Sequence, residues 1–213
     1  MHRFFTTLID IILPRKERVV RSSSYTIDDL GLSPNEHSVG AHQITTLMSY
    51  RTTAVENSIR ALKYDKSERV AQLFADALAE YLREEIASHK LFSSQRVVLV
   101  PIPLHRIRER ERGFNQISVI LKKLPLEFRN GTLARVSNAL IRTRHTKQQT
   151  KLSREERLTN VAGAFTLALP ETVQCAHIIL IDDVTTTGAT LIAATQPFKE
   201  HGIAPDLIAL AHA

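Results

Sequence analysis

This sequence predicts an α/β fold, a largely parallel sheet flanked by helices, with a small helical or irregular hood at the N-terminus. Two continuous aliphatic runs, Val97-Val98-Leu99-Val100-Pro101-Ile102 and Ile178-Ile179-Leu180-Ile181, read as strands buried on both faces. Around them apolar residues recur at helical spacing. Strands that alternate with helices make βαβ units and a parallel sheet.

The elements follow in order. Phe4 to Leu13 is apolar but interrupted by Asp10 and ended by Pro14. It is too short to span a bilayer and lacks a small-residue cleavage site, so neither a transmembrane segment nor a signal peptide is expected. A short amphipathic helix packed on the domain is expected instead. Arg15 to Gln43 is polar, with Gly31, Pro34 and Gly40, and reads as a linker or an elaboration of the N-terminus. Ser67 is placed to cap a helix whose stripe is Val70, Leu73, Phe74, Ala77, Leu78, Tyr81 and Leu82. The strand from Val97 ends at prolines. Gly113 to Leu124 carries Ile117, Ile120, Leu121 and Leu124 at helical spacing. Ala139-Leu140-Ile141 is a short strand and Gly163 to Leu169 another. Thr190 to Glu200 is a helix that Pro197 kinks or shortens, and Leu207 to Ala211 is a last strand.

Composition sets bounds. With 213 residues the chain can bury the core of one α/β domain with an accessory piece. Its single cysteine, Cys175, rules out an internal disulfide and an all-cysteine metal site, and suits a reducing cytoplasm, the expected location. A formal net charge of +6 attracts nucleic acid and polyanionic metabolites alike, and does not choose between them.

The most informative stretch joins the second strand to Asp182-Asp183-Val184-Thr185-Thr186-Thr187-Gly188-Ala189-Thr190. Ligands of open α/β sheets bind outside the carboxyl ends of strands. A helix N-terminus presents unpaired N–H groups and partial positive charge to an anion. Gly188 permits a positive φ and close backbone approach, and Thr186, Thr187 and Thr190 add hydroxyls. Asp182 and Asp183 would repel a phosphate, so they suit ribose hydroxyls or the waters of Mg²⁺ held by a polyphosphate. An ordinary βα turn with solvated acids is the plain alternative. The whole run resembles the 5-phosphoribosyl-1-pyrophosphate (PRPP) motif of type I phosphoribosyltransferases. Thr185 stands where that motif more often carries an aliphatic or aromatic residue.

Two basic segments accompany it. After the first strand come His105, Arg106, Arg108, Arg110 and Arg112, and arginine forks suit phosphate oxygens. Function is favoured for His105, Arg106 and Arg108. Arg110 and Arg112 stay open between function and a solvated helix face. Arg144, Thr146, Lys147, Gln149 and Lys151 lie in a polar, basic stretch between two expected strands, which fits an active-site lid or a solvated loop.

Together the three segments resemble the ComF family, a phosphoribosyltransferase-like group linked to competence and DNA uptake. PIPLHRIRERERGFNQ matches its Pro-x-Pro-Leu…Arg-Glu-Arg-Gly-Phe-Asn-Gln signature. Arg142, Arg144, Thr146, Gln149, Leu152, Arg157, Asn160, Val161, Gly163, Ala164 and Phe165 match its next segment, and Leu62-Lys63-Tyr64 its upstream one. The likeness runs from about Tyr50 onward, which sets a phosphoribosyltransferase-like domain over 50–213 apart from an N-terminal segment and linker over 1–49. Family members often carry an N-terminal zinc ribbon after a Leu-x-Pro lead-in. Here Asp10-Ile11-Ile12-Leu13-Pro14-Arg15 resembles the lead-in, but the cysteines are absent and His2, His37 and His42 are too dispersed to replace them, so no structural zinc is expected.

The resemblance implies a phosphoribosyl transferase that uses PRPP and Mg²⁺ and releases pyrophosphate. It places Thr185, Thr186, Thr187, Gly188, Ala189 and Thr190 on the 5′-phosphate. Asp182 and Asp183 fall on the ribose hydroxyls and the metal, His105, Arg106 and Arg108 on pyrophosphate, and Arg144 to Lys151 in the lid. The acceptor is not legible. A non-catalytic PRPP- or nucleotide-binding regulator is the alternative, as is an accessory protein in DNA uptake. Direct nucleic-acid binding is not favoured, since no helix-turn-helix or aromatic platform is visible. Folds of this kind frequently dimerise, so a homodimer is compatible.

Overall fold

The computed structural model describes residues 21–144, 163–168 and 170–213. Its main sheet has six strands in the order β1 (Asn35–Val39), β2 (His42–Ser49), β8 (Asp206–His212), β7 (Ala176–Thr185), β3 (Arg96–Pro101) and β4 (Ala134–Val136). Only the β1–β2 pair is antiparallel; the other four pairings are parallel. This is the α/β architecture expected, a mostly parallel sheet flanked by helices.

Alternation along the strands builds two apolar layers. Val97, Leu99, Ile179, Ile181, Ile208 and Leu210 face helices α2 (Thr53–Asp65), α3 (Glu68–Phe92) and α5 (Gln116–Lys123). Val98, Val100, Ile178, Leu180, Leu207 and Ala209 face α6 (Ala189–Lys199), together with Leu140 and Phe165 from a separate two-stranded ribbon, β5 (Leu140–Arg142) and β6 (Phe165–Leu167). Each fully buried aliphatic side chain contributes roughly 1.5–3 kcal/mol of burial, and Ile178 to Ile181 are all fully buried.

Ser67 accepts from the Val70 N–H and opens α3 as expected, and the stripe from Val70 to Leu82 is core. Several elements differ from the sequence reading. The stretch taken as linker holds a short helix, α1 (Ile27–Leu30), opened by a Thr26–Asp29 capping box, and then a hairpin that turns at Gly40 with φ 60°. Strand β2 belongs to the main sheet, which therefore draws on residues on both sides of position 49. Helix α2 was not read, because its apolar face is short and mixed with Asn57 and Ser58. The helix expected from Gly113 starts at Gln116, and the arginine run forms its own helix, α4 (Arg106–Arg112). The short strands near 140 and 165 pair with each other, not with the main sheet. Helix α6 continues through Pro197 to Lys199.

The turn between α4 and α5 shows why the Gly-Phe-Asn run is built as it is. Gly113 ends α4 with φ 85°, a left-handed conformation. Asn115 is buried. Its Oδ1 accepts the Ser118 N–H and caps α5, and its Nδ2 donates to the Ile102 carbonyl at 2.8 Å. One side chain thus ties the exit of β3 to the start of α5. Asn115→Ala removes both bonds and strands a buried carbonyl, so it should cost about 1–3 kcal/mol. An unchanged urea midpoint would show that the tie contributes nothing.

Candidate functional site

The connections define where a ligand belongs. The chain leaves β3 toward β4 at one edge, and leaves β7 toward β8 in the opposite direction. Crossovers of opposite sense open a crevice at the carboxyl ends of the two strands, and ligands of open α/β sheets bind at such switch points. Here β3 pairs with β7 only as far as Pro101 opposite Ile181, while β7 stays paired to β8 through Thr185 opposite His212. Asp182 and Asp183 therefore lie within the strand, not beyond it as the sequence reading placed them. They sit on the stretch of β7 that β3 no longer covers.

The two carboxylates are not equivalent. Strand alternation sends Asp182 to the α6 and β5–β6 side and Asp183 to the α2 side. The partners agree with this. Lys63, in the last turn of α2, pairs with Asp183 Oδ2 at 2.7 Å, and both side chains are about four-fifths buried, at 21% and 18% exposed. The other Asp183 oxygen accepts the Val184 N–H. Asp182 accepts the Asp183 N–H through Oδ1. Its side chain keeps a narrow opening to solvent but is otherwise enclosed, and desolvation pushes its carboxyl up to about 7, with the like charge of Asp183 adding to the rise. Lys63 and Arg142 oppose that rise.

Arg142, in β5, is buried and stacks its guanidinium 5.3 Å from the Phe165 ring centre. Burial lowers its pKa, Arg108 lowers it further and Asp182 opposes. Burial also lowers Arg108, with Arg112 adding to the effect. Both remain charged at neutral pH. One buried and one half-buried guanidinium within electrostatic reach of one another form a place for an anion.

The loop after Asp183 is a shallow cup of about 210 Å³, open mouth included, lined by Asp182 and Val184 to Thr190. Thr185 is buried, and its Oγ1 accepts the Gly188 N–H at 3.1 Å. That bond explains a hydroxyl where an apolar residue is more usual: Thr185 braces the loop. Thr187 Oγ1 accepts the Ala189 N–H. Gly188 has φ 73° and leads into α6, whose first-turn amides lack intrahelical acceptors. A Cβ at position 188 would overlap Ile44 Cδ1 of β2.

The remaining expected residues are placed as follows. His105 caps α4, its Nδ1 accepting the Ile107 N–H at 3.3 Å, which assigns the ring proton to Nε2. Arg106 is exposed, whereas Arg108 is half-buried. Arg144 is exposed just past β5; Thr146, Lys147, Gln149 and Lys151 lie outside the described residues. Lys63 and Arg142 were not singled out as site residues from the sequence, although both fall in segments that carry the family likeness. Beside the Asn115 tie, Gln116 is buried with no hydrogen-bond partner for its Nε2 among the described residues.

A larger cleft of about 450 Å³, open mouth included, lies at the amino ends of β3 and β4 and is lined by Lys90, Arg96 and Arg135 among others. Arg96 is committed there to the carbonyls of Glu171, Thr172 and Gln174, so the cleft is braced by the chain itself. It is at the wrong end of the strands for the chemistry above. No helix among the described residues is long and apolar enough to cross a membrane.

No family model matches the chain. Relatives are nevertheless evident. Competence protein F of Haemophilus influenzae is 27% identical over 146 residues, 68% of this chain and 62% of that protein. The DNA utilization protein YhgH of Salmonella typhimurium is 32% identical over 148 residues, 68% of this chain and 61% of that one. Competence protein ComFC of Bacillus subtilis is 36% identical over 113 residues, 53% of this chain and 42% of the relative. The chain thus spans about three-fifths of the length of the first two.

Two outcomes follow from the geometry. Gly188→Ala should lose about 1–3 kcal/mol, from a Cβ at positive φ and the overlap with Ile44. Adding Ile44→Val should recover the steric part only; no recovery in thermal melts would place the cost wholly in the backbone. The second concerns pH. The folded state holds the Asp182 proton more tightly than the unfolded chain, whose carboxyl titrates near about 4. This group's contribution to stability is therefore full below about pH 4 and is lost as pH rises toward about 7. Asp182→Asn should melt a few degrees above wild type at pH 8 and level with it near pH 4. A difference independent of pH would remove the assignment.

Proposed function

The chain belongs to the ComF family, and from that premise and the strand-end geometry we propose that it binds PRPP with Mg²⁺ and transfers the 5-phosphoribosyl group to an acceptor, releasing pyrophosphate. The observation that carries this reading is the juxtaposition at one switch point of a Thr/Gly cup, an acidic pair and two arginines, one buried and one half-buried. Those features correspond to three parts of one ligand, a terminal phosphate, a pair of ribose hydroxyls and a polyphosphate. The fold we propose is accordingly that of type I phosphoribosyltransferases.

In this reading the amides at the start of α6, with the Thr186, Thr187 and Thr190 hydroxyls, hold the 5′-phosphate. Thr185 acts from beneath, keeping the loop open by holding the Gly188 amide. Asp182 and Asp183 take the ribose hydroxyls and would hold Mg²⁺, directly or through water. When bound, the metal supplies neutralisation of the polyphosphate charge. The donor set fits a cation, since the Lys63 ammonium already rests on Asp183 as a stand-in. Arg108 and Arg142, with His105 Nε2–H and Arg106, stabilise the departing pyrophosphate, a role that strengthens as negative charge develops on it. The acceptor nucleophile forms its bond to the anomeric carbon as the bond to pyrophosphate breaks.

The names of the relatives favour a second reading of the same site, in which bound PRPP or nucleotide regulates a role in competence or DNA uptake without turnover. Pyrophosphate release in the presence of pooled bases and amines separates the two. Calorimetry tests what they share. Wild type should bind PRPP more tightly with Mg²⁺ than without, and more tightly than ribose 5-phosphate. Asp182→Asn with Asp183→Asn should weaken PRPP binding by about a hundredfold or more. Unchanged affinity in that double variant would sink the site.

A further inference from the structure

Asp183 has both carboxylate oxygens engaged within the protein, one by the Val184 amide and one by Lys63. A cation that takes Oδ2 meets the positive charge of an ammonium 2.7 Å from that oxygen. Lys63, for its part, is a largely buried group with three donors, and among the described residues one ion pair is recorded for it. It comes from the last turn of a helix, so its base is fixed while its four-carbon stem can swing. Arg108 and Arg142 leave the neighbouring crevice cationic.

We infer that Lys63 is the positioning residue of this site, holding the Asp183 carboxylate and exchanging places with a divalent cation when the polyphosphate ligand loads. The identity of that ligand rests on the PRPP reading above. On loading, Lys63 leaves Asp183 and pairs with a phosphate oxygen, so each charge keeps a counter-charge throughout. The carboxylate is thereby kept in place, and a bare divalent cation that brings no phosphate for Lys63 binds poorly. The site is selective for metal and polyphosphate arriving together. Nearby Lys66 does not share the role. It sits at the C-cap of α2 with its ammonium 5.5 Å from the Phe114 ring centre, and provides the control.

The test measures Mn²⁺ binding alone, by the paramagnetic resonance of the free ion, and PRPP binding with Mg²⁺ by calorimetry. Lys63→Met should bind Mn²⁺ roughly three- to tenfold more tightly than wild type, the gain expected from removing one partly buried competitor. It should bind PRPP with Mg²⁺ more weakly. Lys63→Arg keeps the pair and should stay near wild type for Mn²⁺. Lys66→Met removes the same charge and should gain nothing comparable. Equal gains in Lys63→Met and Lys66→Met would reduce the effect to net charge and overturn the inference, as would unchanged PRPP affinity in Lys63→Met. If Lys63→Met does not fold, ¹⁵N-lysine spectra of wild type decide. The Lys63 ammonium signal should shift on adding PRPP with Mg²⁺ while that of Lys66 stays put, and a stationary Lys63 signal overturns the exchange. A wild type that binds no PRPP, beside a Lys63→Met that gains Mn²⁺, would retain the exchange and refute the PRPP reading instead.

Discussion

Strands β3 and β7 part at Pro101 and Ile181, the last bond between the two running from the Ile102 N–H to the Ile181 carbonyl, while β7 stays laddered to β8 for four residues more. Alternation turns Ile102, not its flanking prolines, toward β7, and the ladder stops there because the Ile102 carbonyl accepts from Asn115 Nδ2 and the Asp183 N–H donates to Asp182 Oδ1. That inequality exposes one edge of Asp182 to Thr185 while the other edge stays rigid. The departing chain is held where it turns away by Asn115 on the Ile102 carbonyl. A crevice with one firm wall and one diverted wall is what the Asn115 and Asp182 side chains produce by taking the two groups of the next bond.

The charges in that crevice are sorted by the pleat of a single strand. Successive aspartates must point to opposite faces, so Asp183 pairs directly with Lys63 from the helical layer, while Asp182 feels both Lys63 and Arg142 of the small ribbon. Like charges that would otherwise share one space are thereby separated. The asymmetry has chemical content. One carboxyl is pushed up by desolvation and the other is held by an ammonium, so adjacent identical residues can take different roles. Lys63, Arg108 and Arg142 against Asp182 and Asp183 leave the crevice with a positive excess, which suits an anionic ligand.

Legibility in the sequence followed the strength of local signals. The runs Val97–Ile102 and Ile178–Ile181 are buried on both faces, and nothing but a central strand explains them. Gly188 with its threonines was legible because backbone conformation there depends on residue type. The hairpin of β1 and β2 was missed because its outer strand is exposed and polar along most of its length, so it carries no period-two apolar pattern. Thr26-Ile27-Asp28-Asp29-Leu30-Gly31 did carry a start and a stop for α1, but four residues are too few for periodicity to show. Lys63 and Arg142 could not be assigned a role in the site from their neighbours in the chain. Each sits in an ordinary amphipathic context, and only the tertiary arrangement brings them to Asp183 and Asp182.

The contact between Gly188 and Ile44 has a consequence for how the molecule opens. The cup leans on β2, and β2 is held by the outer strand β1 on one side and β8 on the other. Proteins open in contiguous cooperative units, and exposed outer strands are among the first to exchange their amide hydrogens. Release of the hairpin would withdraw Ile44, and with it the floor that keeps Gly188 close. The cup and the hairpin then belong to one unit of local unfolding, although some 140 residues of chain separate them. Amide protection in the loop at 185–190 should therefore follow the edge of the sheet as well as its centre.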